Sequence, residues 1–197
     1  MNGIDLGPME SVISLAIGLG LSAACGFRVF VPLLALSIGA RAGYLPLSPD
    51  FAWVATTPAL IAFAAATVLE IAAYFIPWLD NALDSVATPA AILGGVVATA
   101  SLLTDLPPLV RWSVALIAGG GTAGVVQGAT VLARLKSTAL TGGLANPVVA
   151  LFELAGSIVT SLIAIVLPIV CIVLVATACI ALFVTSRRFL FGRTART

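Results

Sequence analysis

Long apolar runs separated by short polar or proline-containing breaks dominate the pattern of the chain. Between Glu10 and Arg41 the only other ionisable side chains are Cys25 and Arg28. A helix that crosses a bilayer needs about 20 mostly apolar residues, and the apolar runs reach or approach that length. The pattern therefore predicts six membrane spans, at about 12–39, 58–78, 89–104, 109–133, 147–166 and 169–186.

Proline marks the start of several of these spans. Three of them open on a capping residue followed by proline, which suits the first helical position because no backbone donor is needed there. Pro168 divides the long run between Val148 and Thr185, because a proline inside a helix removes a hydrogen bond and clashes with the preceding turn. The three pairs are Thr57-Pro58, Thr88-Pro89 and Asn146-Pro147.

The composition supports a membrane protein. Of the 197 residues, 61% are hydrophobic and 9% are charged, and the mean hydropathy is +1.20, whereas a soluble domain carries about 25% charged residues. The runs lack the alternating pattern of membrane β-barrels. We therefore predict an all-α fold, a single polytopic membrane helix bundle over residues 1–197 with a basic tail at 187–197.

Residue types that many enzymes need are scarce. The chain has no histidine, and its three cysteines, Cys25, Cys171 and Cys179, all lie inside apolar spans. This arrangement argues against a disulfide framework, and no metal-binding motif such as HExxH occurs. We therefore expect no enzyme activity and no cofactor. The net charge of +1 gives no reason to expect a nucleic-acid partner.

With six spans, the positive residues divide unevenly between the two sides of the membrane. Because positive charge is enriched in cytoplasmic loops, we predict an inner-membrane protein with both termini in the cytoplasm. No Lys or Arg precedes the first span, so we do not expect it to be a cleaved signal peptide. The side with both termini carries Arg134, Lys136, Arg187, Arg188, Arg193 and Arg196, and the other carries Arg41 and Arg111.

Two halves of the chain share features. Spans one and four are rich in glycine, and spans two and five each open on a capping residue and proline and carry one glutamate, Glu70 and Glu153. A three-span unit that is repeated once must insert in opposite orientations, as in many transporters. We predict such repeats at 12–104 and 109–186. The alternative is that any two membrane helices rich in small residues look alike.

Three ionisable residues lie inside the predicted spans: Arg28, Glu70 and Glu153. Charges at the centre of a span cost at least ~2.5 kcal/mol, so they normally face the interior of a bundle. We expect an Arg28–Glu70 ion pair and a substrate or ion pathway lined by the three residues. The alternatives are a pair that only fixes helix packing, an arginine that extends to the interface, and a Glu153 that only stabilises the start of its helix.

A polar segment, WLDNALDS at 78–85, lies between spans two and three. Asp80, Asn81 and Asp84 share one face of a helical turn. Carboxylate and amide oxygens could hold a hard cation, of a kind that the residues do not specify, or form the cytoplasmic mouth of the pathway. The alternative is a polar loop that caps the next helix.

Basic residues flank the last two spans. Arg134 and Lys136 precede the turn at Gly142-Gly143, and Arg187 and Arg188 follow span six. These four cations could contact phosphate or anionic lipid at the bilayer surface. The alternative is ordinary positive charge that only sets the topology.

Three sequence blocks together resemble a known family. They are GFRVFVPLLAL at 26–36, Glu70 followed by PWLDNALD at 77–84, and TGGLANPVVALFE at 141–153. The chain resembles an uncharacterised bacterial integral-membrane family, domain of unknown function 4126, from about residue 12 to 185. The resemblance implies a small multi-pass protein and no assigned activity. Its matching polar positions are Arg28, Glu70, Asp80, Asp84, Asn146 and Glu153, and Leu154 stands where relatives often carry a further acidic residue.

These observations favour a small transporter or channel. Its substrate would be a small ion or metabolite, and Arg28, Glu70 and Glu153 would line its site. The alternative is a scaffold or assembly factor in the bilayer that docks a partner helix through its intramembrane charges. Six short spans leave little room for a wide pathway, which is compatible with a homodimer.

Overall fold

The computed structural model describes residues 7–73 and 77–191, and every regular element in this part is a helix. A 3-10 helix, Pro49–Ala55, precedes the third α-helix, and a π-helical stretch, Ala115–Gly120, joins the fifth to the sixth. The α-helices of the described part are α1 Gly7–Phe27, α2 Phe30–Arg41, α3 Thr57–Ala72, α4 Pro77–Leu102, α5 Pro108–Val114, α6 Gly121–Thr141, α7 Asn146–Val166 and α8 Pro168–Phe191.

Several of these helices are suited to a membrane. Three stretches in the described part, Met9–Phe27, Pro108–Thr141 and Asn146–Val166, are long and apolar enough to cross a bilayer. The 3-10 helix and α3, which meet at 62°, make a fourth if they count as one span. The all-α fold is therefore confirmed, and the long apolar helices fit a membrane protein. The count of six spans and the inverted repeat stay predictions.

The prediction of one continuous helix over 12–39 is wrong, because the chain breaks at Arg28 and Val29. Pro32 gives the physical reason. A proline at this position has no N–H to donate to the Arg28 carbonyl, and its ring would clash with that carbonyl in a continuous helix. In the first turn of a new helix beginning at Phe30, the missing N–H costs nothing.

Helices α1 and α2 form a hairpin. A Cβ atom at Gly20 of α1 would lie 2.6 Å from Cβ of Ala164, and one at Gly39 of α2 would lie 3.9 Å from Cδ1 of Ile165. Two neighbouring residues of α7 thus contact the middle of α1 and the far part of α2. Helix α2 therefore runs back along α1 from the turn at Arg28.

Contacts along α1 define two ends of the bundle. Ser11 near its start donates to Asp105 Oδ2 at 3.3 Å, and Ser22 donates to the Gly95 carbonyl at 2.7 Å, so α4 runs antiparallel to α1. We call this the Asp105 end; it also contains Ser48, whose N–H donates to the Ser101 carbonyl. The opposite end, towards which α6 continues past Gly26, contains Arg134 and is called the Arg134 end.

Two helix boundaries in the middle of the chain differ from the prediction. Helix α4 begins at Pro77 and runs through Pro89, so Thr88-Pro89 does not start a helix. Membrane helices tolerate an interior proline when neighbouring groups satisfy the freed carbonyl. The fourth predicted span continues to Thr141 as one helix from Pro108, and its glycine triplet at 119–121 falls where the π-helical stretch ends.

The break at Pro168 is confirmed, since α7 ends at Val166 and α8 begins at Pro168. Cys171 Sγ lies 3.8 Å from the Thr160 carbonyl oxygen, so the two helices are antiparallel. Helix α8 then runs parallel to α1, towards the Arg134 end. The first described helix therefore begins at the Asp105 end and the last one ends towards the opposite end, whereas the predicted topology counted α1 and α2 as a single crossing.

Candidate functional site

Three charged side chains meet where α1 ends. Arg28 Nη2 donates to Glu153 Oε2 at 2.7 Å, and Arg134 donates from Nε to Oε1 at 3.0 Å and from Nη2 to Oε2 at 2.7 Å. The side chains of Arg28, Glu153 and Arg134 are 9%, 6% and 12% exposed. We call this group the Arg28 cluster. It joins α1, α6 and α7 through charge-assisted hydrogen bonds, which are the strong class.

The turn between α6 and α7 places Arg134 opposite Glu153. Gly142 and Gly143 have φ of 63° and 91°, a left-handed conformation that favours glycine. Arg134 and Glu153 lie nine residues before and ten residues after Gly143, so two antiparallel helices bring them to the same level. Arg134 is therefore a member of the buried cluster, not the lipid contact that the sequence indicated, while Lys136 is exposed.

Glu70 has a different role from the predicted one. Its Oε1 accepts from the Val29 N–H at 3.0 Å and its Oε2 accepts from the Phe30 N–H at 3.2 Å. The carboxylate therefore caps the start of α2, where the helix dipole favours negative charge. Arg28 donates a hydrogen bond to Glu153, and Glu70 lies close enough to Arg28 and Glu153 to interact with both electrostatically. The expected Arg28–Glu70 ion pair stays a prediction.

Ser157 of α7 completes the polar contacts of the break. Its hydroxyl lies 3.1 Å from the Ala24 carbonyl and 3.4 Å from the Arg28 carbonyl. Groups of this kind satisfy backbone carbonyls at the end of a helix. The sequence carried a signal for it, because Glu153, Ser157 and Ser161 recur every four residues on one face of an otherwise apolar helix.

Two spaces share Phe27 in their walls, and one of them borders the Arg28 cluster. One is a crevice of about 240 Å³ between α6 and α7, with Glu153 in its wall beside Phe27, Thr130 and Phe152. The other is a cavity of about 180 Å³ among α1, α6, α7 and α8, lined mostly by apolar side chains together with Cys171 and Cys179. The buried carboxylate thus faces an apolar space.

A second buried arginine organises the Asp105 end. Arg111 donates to Ser48 Oγ and to Asp50 Oδ2, and its guanidinium carbon lies 6.0 Å from the centre of the Phe51 ring. We call this group the Arg111 cluster. It ties the segment around the 3-10 helix to α5. The sequence analysis counted Arg111 only as topological charge, and it gave no indication of this role.

The remaining predicted site residues are not tested by side-chain contacts. Asp80, Asn81 and Asp84 fall in the first turns of α4, and Arg187 and Arg188 in the last turns of α8, but their side chains lie outside the described part of the structure. Among the described residues, no group of three or more His, Cys, Asp or Glu could hold a metal ion.

Several long apolar helices and a group of buried charges fit the class of helical membrane proteins. Comparison with protein families gives a match to the model described as "Domain of unknown function (DUF4126)", over residues 15–188. Because the match covers most of the chain, the protein belongs to this family. No curated protein and no solved structure matched the chain.

Proposed function

We propose that the protein is a small transporter or channel of the inner membrane that moves an ion or small solute. Its polar site would consist of Arg28, Glu70 and Glu153, to which we add Arg134. The observation that carries the proposal is the helix break inside the bundle, which is surrounded by buried charges. Broken helices and buried charges of this kind form substrate and ion sites in many transporters.

The depth of the site fits such a role. Arg28 lies 17 residues after Ser11 along α1, which is about 25 Å from the Asp105 end at 1.5 Å per residue. Glu153 lies seven residues after the start of α7, which is about 10 Å. The charges therefore lie within the bundle, nearer to the Arg134 end, and any path to them must pass between helices.

The alternative is a scaffold that docks a partner helix through its intramembrane charges. Such charges would have to face lipid, whereas Arg28 and Glu153 are buried between helices and bound to one another. This burial favours the transporter over the scaffold. We continue to expect no enzyme activity, and a homodimer stays a prediction.

The orientation in the membrane is also a proposal. Arg134, Lys136, Arg187 and Arg188 belong to the Arg134 end of the bundle, and the positive-inside rule favours the cytoplasm for that end. Asp80, Asn81 and Asp84 begin α4 at the same end and would then form the cytoplasmic mouth. The start of α1 would face the other side of the membrane, because the α1–α2 hairpin begins and ends at the Asp105 end.

Ligand-induced stabilisation tests the proposal. Thermal unfolding of the purified protein would be measured against acetate, chloride, phosphate, sodium, potassium and magnesium salts, and against small metabolites. A ligand at about 100 times its dissociation constant adds about 2.7 kcal/mol of stability. We expect a saturable shift that is lost in Glu70→Gln and retained in Asp50→Asn, which changes the distant Arg111 cluster. No saturable shift with any compound, or one that is equal in both variants, would contradict the proposed site.

A further inference from the structure

The two carboxylates of the site, Glu70 and Glu153, are held in different ways. We infer that Glu70 takes up and releases a proton during the transport cycle, whereas Glu153 stays ionised and holds the two arginines. This inference rests on the proposed function and names the coupling ion of that same site. It follows from the partners of each carboxylate, their exposure and the packing of the helices that carry them.

Glu153 is fixed by its partners. It accepts three hydrogen bonds from the guanidinium groups of Arg28 and Arg134, at 2.7 to 3.0 Å, and it is buried. Protonation would neutralise the group that two guanidinium ions of the interior face, and it would occupy one of the two oxygens that accept from them. Such a step would weaken the links among α1, α6 and α7, which form the centre of the bundle.

Glu70 is held by weaker and more local contacts. It is half-buried, and it accepts hydrogen bonds from two backbone N–H groups at the start of α2, at 3.0 and 3.2 Å. A carboxyl group that gains a proton still offers its carbonyl oxygen to an N–H donor, so the contact weakens without leaving a buried charge. Its attraction to the start of α2 falls at the same time, because charge-assisted bonds are about twice as strong as neutral ones.

The helix that carries Glu70 is free to respond. Helix α3 packs mainly against α2 and the 3-10 helix, and it exposes Ile61, Val68 and Leu69 on its outer side. Helices α1, α4, α6 and α7 contact one another instead. Loss of the Glu70 contact would therefore loosen α3 from α2 while the centre of the bundle keeps its packing.

The charged and titratable groups around Glu70 influence how readily it takes up a proton. Cys25 and Arg28 face it from α1, Glu153 faces it from α7, and Arg134 of α6 lies behind Glu153. Helix α2 presents only backbone donors there, since its Arg41 lies at the far end and donates to Thr57 Oγ1 at 2.8 Å. In each cycle, one proton would pass from water on one side to a Glu70 oxygen, and from that oxygen to water on the other side.

Infrared difference spectroscopy of the protein in phosphatidylcholine vesicles tests the protonation directly. Acidification should produce the carbonyl band of a protonated carboxyl group in the wild type and in the control Asp50→Asn. The band should be absent in Glu70→Gln, whose amide oxygen can still accept from the two N–H groups. It should return at a shifted position in Glu70→Asp. A band that persists in Glu70→Gln, or no band attributable to Glu70 in the wild type, would overturn the assignment.

Proton uptake into the same vesicles separates this inference from the proposed function. A pH-sensitive dye inside the vesicles would record uptake in the presence of each salt of the stability panel. Uptake in the wild type that falls at least tenfold in Glu70→Gln and returns in part in Glu70→Asp supports both proposals. Uptake that survives Glu70→Gln overturns the role of Glu70 and leaves transport standing. A titrating Glu70 without proton uptake under any condition overturns its role in a transport cycle, whereas the proposed function is contradicted separately, by the absence of a saturable shift in the stability panel.

Discussion

Two buried arginines, Arg28 and Arg111, lie near opposite ends of the bundle in different surroundings. The partner of Arg28 is Glu153, whose side chain is 6% exposed, whereas the partner of Arg111 is Asp50, whose side chain is 67% exposed. Both guanidinium groups are themselves buried. The difference therefore lies in whether water can reach the carboxylate.

This difference determines what each ion pair does for the fold. In the Arg28 cluster the carboxylate is buried, and its removal takes a negative charge from beside two guanidinium groups that are little exposed to water. In the Arg111 cluster the Asp50 carboxylate is exposed. When it is removed, water can solvate the side of the Arg111 guanidinium that the carboxylate had occupied. The Arg28 cluster also joins three helices, whereas the Arg111 cluster fastens one connecting segment to α5.

The largest effect is expected for Glu153→Gln. This change removes the only carboxylate that bridges Arg28 and Arg134 in the described structure. Loss of one member of a buried ion pair costs about 3–5 kcal/mol, and we expect that decrease in the free energy of unfolding, measured by denaturant titration in detergent. Asp50→Asn serves as the matched control. Equal losses in the two variants would remove the distinction between the clusters.

The variant Gly26→Ala tests how tightly α1 packs against α6 near Arg28, without altering a charge. A Cβ atom at Gly26 would lie 2.6 Å from both the Ala123 carbonyl oxygen and Cβ of Val126, so α6 must move to admit it. Overpacking of this kind costs about 1–3 kcal/mol. We expect Gly26→Ala to lower the free energy of unfolding by that amount.

Gly121→Ala is the control for the packing change, because a Cβ atom at Gly121 has nothing within 4 Å. Alanine inside a helix is favoured over glycine by about 0.5–1 kcal/mol, so this variant should be as stable as the wild type or slightly more so. If Gly26→Ala behaved in the same way, the contact between α1 and α6 would be looser than the structure indicates.

A smaller effect is expected for Ser157→Ala. The hydroxyl of Ser157 is fully buried and reaches the carbonyls at the end of α1, and a typical intramolecular hydrogen bond contributes about 1 kcal/mol. The control is Ser113→Ala, whose exposed hydroxyl bonds within its own helix and should contribute close to nothing. Thermal unfolding of the two variants in parallel measures the difference. A larger loss in Ser113→Ala would contradict this view of the break.

Much of the fold could be predicted from the sequence, because apolar run length and proline position are local signals. The start of α7 at Asn146-Pro147 and the break at Pro168 follow from the backbone chemistry of proline alone. The hairpin at Arg28 was missed although Pro32 marks it. Hydropathy measures only how apolar a run is, so it does not register the helix break that Pro32 imposes four residues after Arg28.

Three of the four charged residues at the helix break were predicted from the sequence, but the hydrogen bond from Arg28 to Glu153 was not. Arg28, Glu70 and Glu153 do lie close together, since intramembrane charges must find polar partners in the interior. The partner of Arg28 could not be inferred, because it depends on which helices pack together and not on order along the chain. Arg134 could have been found from its position relative to the Gly142-Gly143 turn, opposite Glu153.

The smallest effect is expected for Asp50→Asn, and its dependence on salt sharpens the comparison further. An exposed ion pair contributes about 0–1 kcal/mol, and we expect a loss of stability in that range at low salt. The electrostatic range falls from about 10 Å at 0.1 M salt to about 3 Å at 1 M, so the loss should shrink as salt is added. The loss in Glu153→Gln should depend much less on salt, because the Arg28 cluster is buried and buried pairs are screened much less than exposed ones. Unfolding of both variants would be measured at both salt concentrations. A large loss of stability in Asp50→Asn that salt does not reduce would mean that Arg111 depends on its carboxylate as much as Arg28 does.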